Sequence, residues 1–266
     1  MGLELEPLHR WPQATLHPHE GKAWFLSSSS GFERCLERDQ LDQKKAVELG
    51  ATFQGCKRLI VVGIGGSAMG LRALNDALGK PEHHQRLVLL DHLNPELFRQ
   101  AVAGIDDADL GLIIISRSGT TIEVLAWLRE VLGHCNPGRV AAVTATPDSP
   151  LGRLAQEKNW PTLSIPDDVG GRFSILTPCA LLPASALGFD VPQLLQGARD
   201  ANPLNAHQSA ADLHHLMQGG HHRLVHFFYG EALNGLAGWW LQLLAESIGK
   251  SGLPFFAAAA MGPRDQ

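Results

Sequence analysis

Short apolar runs alternate with amphipathic segments along the first two thirds of the chain. The runs are rich in Leu, Ile and Val and are bounded by Gly or polar residues. Such runs are typical of strands buried on both faces of a sheet, and the intervening segments have the apolar spacing of helices. The predicted strands are 58–63, 86–90, 110–115, 139–144 and 162–165. This alternation predicts an α/β fold, with a doubly wound parallel sheet flanked by helices.

The pattern changes after residue 190, where helical segments dominate. The helices expected there are 192–199, 206–217 and 231–249, with one strand at 223–228 and an Ala-rich segment near the end. We therefore expect more than one structural unit. The expected division is an N-terminal arm at 1–40, a first domain at 41–190 and the incomplete start of a second domain at 191–266.

Composition narrows the class of protein. The 266 residues include 22 Lys and Arg against 27 Asp and Glu, a net charge of −5, which disfavours a broad nucleic-acid surface. The longest apolar stretch, 255–261, is far shorter than the roughly 20 residues that span a bilayer. The four cysteines are scattered without a zinc spacing, which fits a reduced compartment. We expect a cytoplasmic protein that binds neither nucleic acid, membrane nor metal.

A glycine-rich loop, Gly63 to Gly70, follows the first predicted strand and opens a helix. Its backbone N–H groups can face a ligand, and the helix N-terminus favours an anion. The same loop satisfies the G-x-G-x-x-A dinucleotide pattern, and Asp91 ends the next strand, where a ribose-binding acid belongs. A tight turn without a ligand is a third interpretation. The loop alone leaves all three open.

Four hydroxyl side chains directly follow the third predicted strand. They are Ser116, Ser118, Thr120 and Thr121. At a helix N-terminus they can donate to phosphate oxygens, together with backbone N–H groups. Capping of the helix explains one hydroxyl but not four. A single phosphate held between two loops therefore fits this sequence better than a dinucleotide.

Two charged residues are candidates for chemistry. Arg172 follows two glycines, which can bring its permanent charge close to a ligand, although an ion pair with Asp167 or Asp168 explains it equally well. Glu246 lies seven residues after Trp239, so the two share a helix face. A carboxylate beside such a wall can act as a base, whereas the alternative is an ordinary surface glutamate near a helix end.

Histidines are concentrated in the C-terminal part of the chain, at His214, His215, His221, His222 and His226. They lack the cysteine partners and the H-E-x-x-H pattern that are typical of zinc sites. We expect a solvated cluster without a function.

Taken in order, four motifs resemble those of the bacterial glucose-6-phosphate isomerase family. They are Val62-Gly63-Ile64-Gly65-Gly66-Ser67, Ser116-Arg117-Ser118-Gly119-Thr120-Thr121, Asp168-Val169-Gly170-Gly171-Arg172-Phe173-Ser174, and Ala245-Glu246-Ser247-Ile248-Gly249-Lys250 leading to Gly262-Pro263-Arg264-Asp265-Gln266. The resemblance runs from about residue 55 to the end. Each motif alone is modest, but four in order are specific.

The resemblance implies two sugar-isomerase (SIS) domains and interconversion of glucose 6-phosphate and fructose 6-phosphate, without metal or organic cofactor. It implies that Glu246 is the base that moves a proton between C1 and C2, and that Arg172 stabilises the enediolate. The substrate-binding residues that it implies are Gly66, Ser67, Ser116, Ser118 and Thr121. It also implies a homodimer for the full-length protein.

The sequence departs from the family pattern at its end. After the Asp-Gln pair the family continues with a ring-opening histidine, and a lysine near the family's C-terminus also serves the site. Neither has a counterpart here, so we expect a fragment with little isomerase activity of its own.

Two other functions remain open at this point. A non-catalytic SIS module that binds a sugar phosphate would use the two loops without needing Glu246 or the Gly-Gly-Arg segment. An NAD-dependent dehydrogenase would need only the first loop and Asp91.

Overall fold

The computed structural model describes residues 31–201, 203–248 and 255–265. Most of the predicted N-terminal arm, 1–40, lies outside the described residues. The helices are α1 (Gly31–Arg38), α2 (Gln40–Ala51), α3 (Gly66–Leu78), α4 (Pro81–Arg86), α5 (Pro95–Val102), α6 (Ile122–His134), α7 (Pro150–Glu157), α8 (Pro178–Leu187), α9 (Val191–Asp200), α10 (Pro203–Gln218) and α11 (Asn234–Ser247). The strands are β1 (Arg58–Val62), β2 (Leu87–Leu90), β3 (Leu110–Ile115), β4 (Arg139–Val143), β5 (Thr162–Leu163), β6 (Arg223–Tyr229) and β7 (Phe256–Gly262). Short 3₁₀ helices occur at Asp107–Asp109, Gly171–Leu176 and Glu231–Leu233.

The first five strands form one parallel sheet in the order β2-β1-β3-β4-β5. This confirms the predicted α/β fold with a parallel sheet. The chain builds outward from β1 to β2 and then crosses to β3 on the other side of β1, so the strand order reverses between β1 and β3. In open parallel sheets, ligands bind at the carboxyl ends of the strands beside such a reversal. The two predicted loops follow β1 and β3.

The strands are apolar because both faces of the sheet are covered. Val61 and Ile113 point into a core shared with α8, whereas Val62 and Ile114 point to the opposite core, around Trp127 of α6. All four of these strand side chains are fully buried. This double burial explains why the strands read as continuous apolar runs rather than as alternating ones.

Arg86, the last residue of α4, connects two other segments beside the five-stranded sheet: the residues that follow α2 and the end of α8. Its guanidinium donates to five carbonyl oxygens, which belong to Phe53, Gln54, Cys56, Ala186 and Leu187, at 3.1 to 3.4 Å. Two of these oxygens lie at the end of α8, where a helix leaves carbonyl groups without intrahelical partners, and the other three lie between α2 and β1. One side chain therefore satisfies the ends of two segments that are far apart in sequence.

The second sheet is a parallel pair formed by β6 and β7. On β6, Val225, Phe227 and Tyr229 lie on the more exposed face. His226 lies on the other face, where its ring is 5.2 Å from that of Trp240 on α11, and burial lowers the pKa of His226. The division of the chain near residue 190 stays a proposal.

Helix α11 packs along α3 in the opposite direction. A Cβ on Gly235 would lie 2.8 Å from the carbonyl oxygen of Arg72, and one on Gly238 would lie 2.8 Å from Met69 Cε. One turn further on, the amide nitrogen of Gln242 lies 3.2 Å from the position of a Cβ on Gly65. Small residues thus allow close approach, and the end of α11 lies beside the beginning of α3.

Two further observations concern the whole described part of the chain. No described helix is long and apolar enough to cross a membrane. Within the same residues, no group of three His, Cys, Asp or Glu side chains could hold a metal ion.

Candidate active site

The hydroxyl-rich loop between β3 and α6 is organised by its own side chains. Ser116 is buried, and its Oγ accepts a hydrogen bond from the N–H of Gly119 at 3.1 Å and pairs with Thr121 Oγ1 at 2.9 Å. Ser118 Oγ accepts hydrogen bonds from both the N–H and the hydroxyl of Thr120, at 3.2 and 3.0 Å. Thr121 precedes α6, but its side chain does not cap the helix. Simple N-capping therefore does not account for this loop.

The four hydroxyl side chains of this loop carry more hydrogens than their contacts with one another use. The hydroxyl hydrogen of Thr120 goes to Ser118, and the Ser116–Thr121 pair uses one more. Among the described residues, the hydrogen of Ser118 and the second hydrogen of the Ser116–Thr121 pair have no acceptor. The loop therefore has hydroxyl donors to spare, which suits an anion with several acceptor oxygens, such as a phosphate.

In the glycine loop before α3, the N–H groups of Ser67 and Ala68 donate to the carbonyl oxygens of Ile64 and Gly65, at 3.2 and 2.9 Å. The expectation that backbone N–H groups of this loop face a ligand stays a prediction. Gly66 contacts another part of the chain, because a Cβ there would lie 2.3 Å from the backbone nitrogen of Arg172. Ser67 lies half-buried in the first turn of α3. The glycine permits two loops to touch, and Ser67 is the next residue in the chain.

Arg172 and Glu246 are brought together although 74 residues separate them. Arg172 Nη1 lies 3.3 Å from Glu246 Oε2, and its Nε donates to Ser247 Oγ at 3.0 Å. The arginine side chain is 20% exposed and the glutamate 48%. Among the described residues, the ion pair of Arg172 is with Glu246 and not with Asp167 or Asp168; Asp168 pairs with Arg34.

Gln242 is a site residue that the sequence reasoning missed. It lies one helical turn before Glu246, and its amide donates to Glu246 Oε1 at 2.9 Å. Its own Oε1 is buried without a partner among the described residues. The only signal in the sequence was the spacing of four residues from Glu246, which places both side chains on one helix face.

Asp91 has partners other than a ribose. Both Nε and Nη2 of Arg72 donate to its Oδ2, at 3.2 and 2.5 Å, and His92 Nδ1 lies 2.8 Å from its Oδ1. The side chain is only 12% exposed. An acid held in this way is an internal ion pair, so the feature that favoured a dinucleotide has a structural explanation.

The last turn of the described chain is also organised by a carboxylate. Asp265 accepts hydrogen bonds from Arg264 Nε at 3.1 Å and from the N–H of Met261 at 2.7 Å. These contacts, the one with Arg264 first, lower the pKa of Asp265. The carboxylate holds the turn that follows β7.

The predicted residues thus fall into two adjoining groups. The first group lies where α3, α11 and the 3₁₀ segment Gly171–Leu176 converge. It contains Gly66, Arg172 and Glu246, and Ser67 follows Gly66 in the chain. Ser116, Ser118 and Thr121 form the second group at the end of β3. The two are linked through Arg117, which donates to the backbone of Asp167.

Comparison with known proteins gives a family for this arrangement. The family model described as phosphoglucose isomerase matches residues 40–250. A glucose-6-phosphate isomerase of Rubrobacter xylanophilus is 33% identical, over 91% of this chain and 62% of that protein. One from Thermus thermophilus is 36% identical, over 78% of this chain and 54% of that protein. The chain thus spans between half and two thirds of the length of these curated relatives.

Solved structures share the fold. A hypothetical protein, also from Thermus thermophilus, superposes with a TM-score of 0.80 at 29% identity, over 93% of this chain and 65% of that one. A glucose-6-phosphate isomerase from Chlamydia trachomatis gives a TM-score of 0.64 at 18% identity, over 85% of this chain and 49% of that one. At that identity the second likeness concerns the fold alone.

Proposed function

The chain belongs to the phosphoglucose isomerase family, and we propose that its site serves the interconversion of glucose 6-phosphate and fructose 6-phosphate through an enediolate. The pairing of Arg172 with Glu246 is the observation that carries this proposal. A module that only binds sugar phosphates needs the hydroxyl loop but not this pair. Homodimerisation and a cytoplasmic location belong to the same proposal.

Glu246 is proposed as the base. Its carboxylate would remove the proton from C2 of the aldose, or from C1 of the ketose, and return it to the neighbouring carbon. The carbonyl oxygen becomes negatively charged as the proton leaves, which makes an enediolate, and the hydroxyl proton passes from O2 to O1 before the ketose forms. Because the amide of Gln242 donates to Glu246 Oε1, the carboxylate is held in one orientation on α11.

Arg172 is proposed to stabilise the enediolate. Its guanidinium is always charged and lies 3.3 Å from the carboxylate of Glu246, next to where the charge would develop. Arg172 Nε donates to Ser247 Oγ, and the indole Nε1–H of Trp239 donates to the backbone carbonyl oxygen of Arg172 at 2.9 Å. A donor oriented in advance stabilises a transition state without reorganisation.

The phosphate would lie at the reversal between β1 and β3. Ser118 and the Ser116–Thr121 pair would supply hydroxyl donors there, and Gly66 and Ser67 follow the neighbouring strand β1. The other end of the sugar would then extend toward Arg172 and Glu246. Neither role requires a metal or an organic cofactor, because the reacting C–H is already next to a carbonyl group.

The experiment is incorporation of solvent deuterium into fructose 6-phosphate, followed by NMR in D₂O. We expect Glu246→Gln to lower the exchange rate by at least about 100-fold, because a neutral amide cannot accept the proton. Arg172→Ala should lower it as well. Glu157→Gln, an exposed glutamate of α7, is the matched control and should leave it unchanged. Exchange that persists at the wild-type rate in Glu246→Gln would show that the base is elsewhere.

A further inference from the structure

The segment that carries Arg172 is held from the N-terminal side by α1. We call Asp167–Phe173 the arginine loop. Gly31 approaches it so closely that a Cβ on Gly31 would lie 2.3 Å from the carbonyl oxygen of Asp168. Arg34, one turn along α1, forms an ion pair with the carboxylate of Asp168. These two contacts attach the helix to the loop.

A third contact between α1 and the arginine loop involves two aromatic rings, one of which also contacts Arg172. The ring of Phe32 stacks on that of Phe173, with 4.9 Å between ring centroids and 12° between ring planes. The guanidinium carbon of Arg172 lies 4.7 Å from the centroid of the same Phe173 ring. Phe173 therefore contacts both Phe32 of α1 and the guanidinium that faces Glu246.

We propose that Phe32 and Phe173 are positioning residues for Arg172, and that α1 is through them a part of the active site. This inference rests on the proposed function, because it concerns the orientation of the side chain assigned to the enediolate. Neither aromatic residue contacts Glu246 or the hydroxyl loop in the contacts described above. Their effect would reach the substrate only through the guanidinium.

The physical reason is the freedom of an arginine side chain. Four rotatable bonds allow the guanidinium to swing away from Glu246, and the neutral hydrogen-bond partner that it has among the described residues, Ser247, lies at an exposed helix end. A flat aromatic ring attracts a flat guanidinium and limits these orientations. The ring must itself be held, and Phe32 holds it through a stacked contact.

Removing the Phe32 ring should not detach α1 from the arginine loop. The helix stays attached by the close approach of Gly31 and by the Arg34–Asp168 pair. Phe32 is 37% exposed, so its replacement by leucine creates little empty space. A purely structural role would weaken the protein generally, whereas a positioning role changes only what Arg172 contacts.

The test compares two ligands that differ at one end. 6-Phosphogluconate carries a carboxylate at C1, which Arg172 can bind, whereas sorbitol 6-phosphate has a CH₂OH group there and the same phosphate. The ratio of their dissociation constants, measured by calorimetry, reports on Arg172 and cancels any common effect on the phosphate. We expect the wild-type chain to prefer the carboxylate by about tenfold or more, as is usual for a charged hydrogen bond.

Phe32→Leu and Phe173→Leu should each lower this preference by about three- to tenfold, while sorbitol 6-phosphate binds as before. Phe32→Tyr keeps the stack and should restore the preference. Leu41→Ala, which removes an exposed apolar side chain from the adjacent α2, is the matched control and should change neither constant. Adding Phe32→Leu to Arg172→Ala should have no further effect on the ratio.

The outcomes separate the two proposals. A wild-type chain without any preference, or one whose preference survives Arg172→Ala, would overturn the assigned role of Arg172 and the positioning role with it. A preference that depends on Arg172 but is unchanged in Phe32→Leu and Phe173→Leu would overturn the positioning role alone. An equal loss of affinity for both ligands would do the same, because it indicates a general structural effect.

Discussion

At the scale of single residues, the hydroxyl loop has more hydrogens than its internal contacts use. Ser118 accepts two hydrogen bonds from Thr120, so its own hydrogen is directed elsewhere. Ser116 and Thr121 share one hydrogen between them, and the other has no acceptor among the described residues. The loop is therefore organised by its own hydrogen bonds, which would lower the entropic cost of the proposed phosphate binding.

We predict that Ser118→Ala combined with Thr121→Ala weakens binding of 6-phosphogluconate by about 100-fold or more, because two hydrogen bonds to a charged group are lost. Calorimetry of the purified double variant checks this. Thr162→Ala removes a hydroxyl at the outer strand β5, outside the loop, and should bind as the wild type does. Affinity within threefold of the wild type in the double variant would mean that the phosphate lies elsewhere.

At the scale of elements, the position of Glu246 depends on how closely α11 approaches α3. Gly235, at the start of α11, lies against the backbone of Arg72, and Gln242, near its end, lies beside Gly65. The antiparallel packing acts along the whole contact, so a displacement at one end moves the carboxylate at the other. Catalytic rates are sensitive to shifts of about 1 Å.

Gly235→Ala should therefore slow deuterium exchange by about tenfold without weakening phosphate binding, because a Cβ cannot fit 2.8 Å from the carbonyl oxygen of Arg72. The matched control is Gly133→Ala in α6, where a Cβ would meet nothing within 4 Å. That control should exchange deuterium at the wild-type rate and gain about 0.5–1 kcal/mol of stability. Equal exchange rates in the two variants would contradict a positioning role for the helix contact.

The elements differ in how far their sequences predict them. The interval 110–115 predicted for the third strand coincides with β3, because a strand buried on both faces leaves an unbroken apolar run. Helix α8 was missed because all ten of its residues are buried, so it has no polar face and no helical period, and it contains Pro183. Helix α4 was missed because its six residues are short of apolar positions.

The sequence also predicts some residues of the candidate site but not others. Arg172 and Glu246 stand in recognisable motifs, but their meeting depends on packing between α3 and α11, which no local pattern reports. Gln242 looks like an ordinary polar residue within an apolar helix, and only the three-dimensional contact with Glu246 distinguishes it. The stack of Phe32 on Phe173 joins residues 141 positions apart by their numbering and leaves no local signal.

At the scale of the whole molecule, Arg86 holds the end of α8 to the segment between α2 and β1. We predict that Arg86→Met lowers the free energy of unfolding by about 2–4 kcal/mol, because five carbonyl oxygens lose a charged donor. Denaturant unfolding measures this. Arg153→Met, on the exposed side of α7, is the matched control and should cost less than about 0.5 kcal/mol. A loss of the same small size in Arg86→Met would mean that water replaces the guanidinium without penalty.

The contact between Arg86 and Leu187 also limits how early these hydrogen bonds can form while the chain is being synthesised. Leu187 leaves the ribosome 101 residues after Arg86, so the carbonyl groups that share this guanidinium cannot all be satisfied earlier. At about 5–20 residues per second, the unclosed chain persists for about 5–20 s. During that interval α8 does not yet cover β1 and β3, and their apolar strands are open to chaperones or to neighbouring nascent chains.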